Sequence, residues 1–268
     1  MAGFVLCVDV GNSRTKFGLF PQEPAAARGN GLPECLAGAA VCHGQLLDWG
    51  ELRRELNVRR EDCVAGYLTG SSPEGVSVIR EGWPAEWKSP TLLDDVLDFP
   101  VRIDLEKPNH AGIDRILNAV ACNRIRPTGT PAVIVDTGTA TTVDSISPEG
   151  AFEGGSILPG FELCARALHQ YTALLPFVTI DELSNESHEP LGTSTREALR
   201  SGLLWGQIGA IRELVRRLSE RWSVAPLVLL TGGGAPLAAP EMPEARWEPC
   251  LSLQGLAVVV GHRTKVGQ

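Results

Sequence analysis

The sequence predicts an α/β protein built from two similar domains. An apolar run, an Asp-x-Gly-(Asn/Thr) turn, small hydroxyl residues and a second strand-like run occur twice, at Asp9 and at Asp136. These aspartates lie 127 residues apart in a chain of 268. Strand-like and helix-like segments alternate elsewhere, as in mixed sheets covered by helices. We therefore predict domains at residues 1–125 and 126–268, facing each other across a cleft.

The first half shows a hairpin followed by further strands and helices. Its turn is Gly11-Asn12-Ser13, and the segment 21–36, rich in proline and glycine, predicts a loop. Residues 84–100 give no clear pattern. The patterns predict strands at 4–10, 15–20, 37–42 and 62–68, and helices at 46–56 and 112–124.

The second half repeats this order. Residues 178–195 are polar and predict a loop. The patterns predict strands at 132–137, 141–147, 151–157 and 227–230, helices at 160–171 and 195–219, and a short strand or helix at 256–260.

Composition excludes several classes of protein. Hydrophobic residues make up 43% and charged residues 21%, which is ordinary for a globular chain, and the net charge of -8 disfavours binding to nucleic acid. No apolar run reaches the length of about 20 residues that spans a membrane, and the N-terminus has no basic leader. The seven cysteines form no C-x-x-C pair and no Cys/His cluster. We expect a cytoplasmic protein with reduced cysteines that binds neither nucleic acid nor membrane.

The two glycine turns predict binding of nucleotide phosphates. Backbone N–H groups in a turn of glycine and small residues can converge on an anion. Asp9 and Asp136, each at the end of a strand, would hold a cation that bridges to the phosphates, and Arg14 or Lys16 could neutralise phosphate charge. A single such Asp often only caps its own turn. Two matched copies favour the phosphate interpretation.

Two further segments carry candidate chemistry. Thr231-Gly-Gly-Gly-Ala235 follows a strand, where open α/β sheets bind ligands, although a plain turn would also fit. Gly112-Ile113-Asp114-Arg115 begins a helix, so the Asp114 carboxylate could act as a base and Arg115 could bind a substrate carboxylate. The alternative for this segment is a solvated ion pair on a first helical turn.

Taken together, these motifs resemble those of type III pantothenate kinases. That family has two ribonuclease-H-like domains of the actin and sugar-kinase superfamily around a central nucleotide cleft. The resemblance covers most of the chain and depends on the order and spacing of several segments. They are Asp9–Lys16, Gly112–Arg115, Asp136–Asp144, Gly154–Gly160, Gly192–Gly202, Thr231–Gly233 and Leu253–Leu256.

The resemblance implies ATP-dependent phosphorylation of pantothenate, the first step of coenzyme A synthesis, and assigns residues to it. Asp114 would take the proton from the pantothenate hydroxyl, and Asp136 would bind a monovalent cation, K⁺ or NH₄⁺. Thr195 would reach pantothenate across the interface of a homodimer. The residues implied for ATP are Asp9, which would lie near Mg²⁺, Val10, Gly11, Asn12, Ser13, Arg14, Thr15, Lys16 and Thr139; those implied for pantothenate are Gly112, Ile113, Asp114, Arg115 and Thr195.

The sequence departs from the family pattern at several positions. Leu105 stands where the family has a tyrosine, Gly234 where it has an aspartate, Ser194 where it has an asparagine, and Ser13 where it has a threonine. The change at Leu105 keeps open a kinase for another small hydroxyl acceptor. Together with Gly234, it also keeps open a nucleotide-binding regulatory accessory protein with little catalysis.

Overall fold

The structure is a computed structural model, and it describes residues 3–22, 31–59, 62–185 and 189–266. The chain divides into two compact units. The first contains the described residues up to Pro127 and those from Cys250 onward, and the second is Thr128–Pro249. The division after Pro127 lies close to the expected boundary at 125/126. The expected assignment of the C-terminal segment differs, because the residues from Cys250 onward belong to the first unit.

The first unit contains a mixed sheet of five strands, β1 (Gly3–Val10), β2 (Arg14–Pro21), β3 (Ala37–Cys42), β4 (Cys63–Gly70) and β5 (Thr91–Leu92). Their order in the sheet is β3-β2-β1-β4-β5. Strand β1 pairs antiparallel with β2, which pairs antiparallel with β3, whereas β4 and β5 run parallel to β1. The helices are α1 (Trp49–Glu55), α2 (Pro73–Glu81), α3 (Ile113–Ile125) and α8 (Leu251–Val266).

Alternation along β1 determines which residues meet the core and which meet the site. Leu6, Val8 and Val10 pack into the cluster that contains Leu52 of α1 and Ile79 of α2. Successive side chains of a strand point to opposite faces. Asp9 therefore projects from the other face of the sheet, where α8 packs against β1 and α3.

Two helices of the first unit differ from the prediction, α2 in its existence and α8 in its length. Helix α2 was not predicted; Ser72 caps it and Pro73 occupies its first turn. A serine followed by proline is a helix start signal as well as a turn signal. The predicted short element at 256–260 is the middle of α8, which extends from Leu251 to Val266. Its apolar residues are buried on most sides, so no periodic pattern marks its ends.

The second unit repeats the strand order of the first. Its strands are β6 (Ala132–Thr137), β7 (Ala140–Ile146), β8 (Phe152–Pro159), β9 (Leu227–Thr231) and β10 (Arg246–Trp247). They lie in the order β8-β7-β6-β9-β10, in which β6, β7 and β8 are antiparallel neighbours and β9 is parallel to β6. The helices are α4 (Phe161–Gln170), α5 (Ile180–Asn185), α6 (Thr195–Ser219) and α7 (Ala235–Ala238). Short helix α5 lies within the predicted loop at 178–195.

The prediction of an α/β chain with two similarly constructed sheets is confirmed. In both sheets a glycine turn joins the central strand to its antiparallel neighbour, and a parallel strand lies on the other side of the central strand. Part of the loop predicted at 21–36, namely residues 23–30, lies outside the described residues. None of the helices in the described ranges is both long enough and apolar enough to cross a membrane.

Candidate functional site

The first glycine turn joins β1 to β2 and exposes its tip. The backbone N–H of Gly11 donates to the carbonyl of Arg14 at 3.1 Å and closes the turn. Asn12 and Ser13 are exposed, and Arg14 and Lys16 are half-buried. Val10 and Thr15 are buried, so these two predicted ATP contacts can offer little beyond their backbone groups. The turn therefore presents backbone N–H groups, short polar side chains and two cations.

Asp9 lies buried at the base of this turn. Only 3% of the residue is exposed. Its Oδ2 accepts a hydrogen bond of 3.0 Å from the Ser252 hydroxyl, in the first turn of α8, and lies 3.8 Å from Nζ of Lys16. The partial positive charge of a helix N-terminus also favours a carboxylate at this position. The Asp9 charge is thus held by a hydroxyl, a cation and a helix end.

His43, which follows β3, forms hydrogen bonds with residues of the same turn. Its backbone N–H donates to the carbonyl of Ser13 at 2.8 Å, and its Nε2 lies 3.4 Å from Oγ1 of Thr15. The sequence analysis missed both His43 and Ser252. Neither has a local signal, because each is brought to the turn by a pairing of distant segments.

Asp114 lies in the first turn of α3, as predicted. The N-cap residue, Gly112, provides no side-chain cap, and the Arg115 N–H donates to Asp114 Oδ1 at 2.9 Å. A Cβ at position 112 would lie 2.9 Å from that same oxygen, so glycine leaves the room that the carboxylate occupies. Asp114 and Arg115 are half-buried, whereas Ile113 is buried and can offer a substrate only its backbone.

Three segments of the second unit converge on Asp136. The Gly160 N–H donates to the Thr139 carbonyl at 2.9 Å, and the Gly234 N–H donates to the Thr137 carbonyl at 2.8 Å. Gly232 has a φ of +92°, and a Cβ there would lie 2.4 Å from Asp136 Oδ1. Asp136 is half-buried and Thr139 is exposed. The strand-end glycines therefore build a turn around the carboxylate, and its tip is open to solvent.

The glycine at position 234 has a steric cause in this chain. A Cβ there would lie 2.9 Å from the ring of Phe161, which is buried at the start of α4. The aspartate that the family pattern has at this position would meet the same ring. In this chain, glycine at position 234 therefore leaves room for the Phe161 ring.

Thr195 begins α6 and is exposed. Ser194 is the N-cap and forms a capping box with Glu197, whose carboxylate also accepts from the N–H and the hydroxyl of Thr193. These hydrogen bonds, led by the Thr193 hydroxyl, lower the pKa of Glu197 below its usual range. Arg196 forms an ion pair with Glu182 of α5. The two charged residues that follow Thr195 thus have structural roles: Arg196 forms an ion pair and Glu197 caps the helix.

Within the described part of the chain, no three His, Cys, Asp or Glu side chains form a group that could hold a metal ion. A cation at Asp9 or at Asp136 would therefore draw its other ligands from phosphate oxygens, water and backbone carbonyls. At Asp9 such a donor set would suit Mg²⁺, which keeps several waters and is commonly held by one or two carboxylates and substrate phosphates.

Comparisons with solved structures agree with the fold. A protein from Campylobacter jejuni described as a conserved Baf family transcriptional activator aligns over 97% of this chain and 99% of its own, with 18% identity and a TM-score of 0.58. The activator of the 2-hydroxyisocaproyl-CoA dehydratase from Clostridium difficile, solved with bound ADPNP, aligns over 99% of this chain and 97% of its own. It has 15% identity and a TM-score of 0.50. At these identities the likeness concerns the fold alone, which is that of actin-like ATPases.

Comparisons of sequence identify the family. The family model for type III pantothenate kinase matches residues 5–217. The type III pantothenate kinase of Caulobacter vibrioides is 38% identical over 87% of both chains, and that of Rhodospirillum rubrum is 30% identical over 97% of this chain and 98% of its own. The alignment with the Gluconobacter oxydans enzyme is shorter and spans 65% of that relative at 36% identity. This chain belongs to the type III pantothenate kinase family, whose members use ATP to phosphorylate pantothenate in coenzyme A synthesis.

Proposed function

We propose that the two glycine turns bind the ATP phosphates and that Asp114 is the base that activates the pantothenate hydroxyl. The observation that carries this proposal is the duplication: two sheets of one strand order each present a glycine turn with an aspartate at its base. Phosphoryl transfer depends mainly on positioning and neutralisation of charge. The residues proposed for ATP are Asp9, Val10, Gly11, Asn12, Ser13, Arg14, Thr15, Lys16 and Thr139, the buried ones through their backbone.

Asp114 is suited to accept a proton. It lies at a helix N-terminus, and its Oδ1 is oriented by the Arg115 N–H at 2.9 Å, so the carboxylate is held in a defined position. A carboxylate can take the hydroxyl proton as the oxygen attacks the γ-phosphorus, while ADP leaves with the pair of electrons from the broken bond. Arg115, together with the backbone of Gly112 and Ile113, would bind the acceptor, the guanidinium facing its carboxylate.

The cation assigned to each turn follows from the resemblance to the family. Asp9 would hold Mg²⁺, directly or through water, and Asp136 would hold a monovalent cation, K⁺ or NH₄⁺. Bound Mg²⁺ neutralises the developing charge on the phosphates. The second turn offers oxygen donors for the monovalent ion, namely the half-buried carboxylate of Asp136 and nearby backbone carbonyls.

Thr195 would contact pantothenate at the interface of a homodimer. Exposed apolar side chains occur in the segments before Thr195: Tyr171 is 81% exposed, Leu174 is 90% exposed and Leu191 is 78% exposed. The Arg196 guanidinium reaches Phe177 and Glu182, so the segment after α4 packs beside the start of α6. A large contiguous apolar patch marks an association surface, and we propose that these side chains contribute to one. Leu174→Glu should give a monomer in light scattering and raise the pantothenate KM. A variant that stays a dimer with an unchanged KM would contradict the proposed interface.

We propose the cytoplasm as the compartment. Among the cysteines whose side chains are described, none forms a disulfide bond; these are Cys7, Cys35, Cys42, Cys122, Cys164 and Cys250. Free cysteines are typical of reducing compartments.

The proposal is tested by Asp114→Asn, which removes the base and keeps the shape. A positioned general base contributes about 10²- to 10⁴-fold, so kcat should fall by that factor with an unchanged melting temperature. Asp98→Asn is the matched control, because Asp98 is an exposed aspartate of the same unit that pairs with Arg263. Near-normal turnover of Asp114→Asn would refute the assignment.

One observation favours a second acceptor. Leu105, half-buried ahead of the short 3₁₀ turn Pro108–His110 that leads to α3, replaces a phenol with an alkyl side chain. A pocket with that change would lose a hydrogen bond and gain apolar surface. A panel of small alcohols assayed with ATP distinguishes the two cases, and a strong preference for pantothenate excludes the second.

A further inference from the structure

We propose that Ser252 is a positioning residue for the divalent cation and that α8 is the element through which it acts. The inference depends on the proposed function in one respect, the assignment of Mg²⁺ to Asp9. Ser252 lies outside the turn that carries the phosphate-binding motif, and it is separated from Asp9 by 243 positions in the sequence.

The geometry of Asp9 supports this role. Asp9 is 3% exposed and Ser252 is 4% exposed, and the hydroxyl donates to Oδ2 at 3.0 Å. Lys16 also approaches Oδ2, at 3.8 Å. Among the described residues, both side-chain contacts of Asp9 therefore go to one oxygen. We infer that this holds the rotation of the carboxylate, and Oδ1 would then be the oxygen that meets a cation or its water.

A buried carboxylate needs such support. Burying a charge is costly unless it is paired and hydrogen-bonded. Lys16 alone is a flexible partner at 3.8 Å with a side chain that is 32% exposed, and it can turn towards a phosphate. The Ser252 hydroxyl, which is buried on a helix, cannot leave in the same way. It would keep the Asp9 carboxylate oriented while Lys16 moves to the nucleotide.

Helix α8 is itself fixed on both sides. A Cβ at Gly255 would lie 2.0 Å from the carbonyl oxygen of Leu117, so the glycine lets α8 rest directly on α3. The Gln254 side chain donates to the Pro33 carbonyl at 3.1 Å. Helix α3 carries Asp114 in its first turn. One helix thus contacts both the carboxylate assigned to Mg²⁺ and the helix that carries the proposed base.

The test compares Ser252→Ala with Ser252→Thr, which restores a hydroxyl, and with Thr264→Ala. Thr264 is the matched control, because its hydroxyl is on the same helix but donates to its own helix at Val260. Binding of Mn²⁺ to the protein with ADP, measured by electron paramagnetic resonance, needs no acceptor and no turnover. Loss of one hydrogen bond to a charged group should weaken Mn²⁺ binding about 10-fold or more in Ser252→Ala. The Mg²⁺ activation constant should rise in parallel, and Ser252→Thr and Thr264→Ala should stay near wild type.

Asp9→Asn separates the two ways in which the inference can fail. If Asp9→Asn weakens Mn²⁺ binding and Ser252→Ala does not, the role of Ser252 is refuted and the assignment of Asp9 stands. If neither variant changes Mn²⁺ binding, the cation is not at Asp9, and the proposed function is wrong at this point. Should Ser252→Ala not fold, Ser252→Cys keeps the volume with a weak donor, and unchanged Mn²⁺ binding in that variant also refutes the inference.

Discussion

Replacing Gly160 by alanine should disrupt the second glycine turn by steric contact alone. Gly160 has φ −73° and ψ 174°, a conformation that alanine adopts freely. Its Cβ would lie 2.3 Å from the carbonyl oxygen of Gly138 and 2.6 Å from that of Thr139. Side-chain carbons do not approach backbone oxygens closer than 3.0 Å, so the turn must move by at least 0.7 Å.

A shift of this size affects both stability and activity. Overpacking of this kind costs about 1–3 kcal/mol of unfolding free energy. A displacement of about 1 Å in a binding group can cost about 10²-fold in rate, so we expect kcat/KM for ATP to fall by about that factor. The measurements are urea unfolding and steady-state kinetics with varied ATP.

Gly202→Ala is the matched control. Gly202 lies within α6 of the same unit, and a Cβ there meets nothing within 4 Å. Alanine should stabilise the helix by up to about 1 kcal/mol and leave kcat/KM unchanged. If Gly160→Ala behaved like Gly202→Ala, the close packing of the turn would not matter for function, and the reasoning would be refuted.

Three further predictions concern the acceptor side and α8. Leu105→Tyr restores the family's phenol, and we expect the pantothenate KM to fall about 2- to 10-fold, the effect of one hydrogen bond; an unchanged or higher KM would show a rebuilt pocket. Glu197→Ala removes the capping box beneath Thr195, so the pantothenate KM should rise while kcat changes little, and a purely catalytic defect would contradict the role of Thr195. Gly255→Ala places a Cβ 2.0 Å from the Leu117 carbonyl, and unfolding in urea should show a loss of about 1–3 kcal/mol; equal stability would contradict the direct packing of α8 on α3.

The stability that the capping box contributes depends on pH, because the box includes the Glu197 carboxylate. Hydrogen bonds lower the pKa of Glu197 in the folded protein. The capping box therefore contributes its full stability at pH values above the usual pKa of a glutamate. Its contribution is lost as the pH falls through the lowered value.

The sequence could predict the two hairpins because their signals are local. Each combines a buried apolar run, an aspartate and a glycine turn within a short stretch, and the structure has them at Gly3–Pro21 and Ala132–Ile146. Helix α6 was also predicted at its observed bounds, Thr195–Ser219, because its helical pattern continues over the whole segment; the capping box of Ser194 and Glu197 was not part of that prediction.

The long-range parts of the site could not be predicted. Helix α8 is apolar on most sides, so neither its length nor its unit can be read from periodicity, and the contact of Ser252 with Asp9 depends on where α8 packs. Similarly, the motifs include Gly160 and Gly232 but do not show what each glycine contacts. Only the fold shows that each leaves room for the backbone of the second turn or for Asp136.

The most direct test of the account is a coupled assay of ADP release with magnesium-ATP and pantothenate, first in K⁺ and then with Na⁺ as the sole monovalent cation. The account predicts turnover in K⁺, a marked loss in Na⁺, and no such difference between the salts for Asp136→Ala. Equal turnover of the wild-type protein in both salts would contradict the role of Asp136. A folded protein with no turnover in either salt would contradict the assignment of pantothenate as the acceptor.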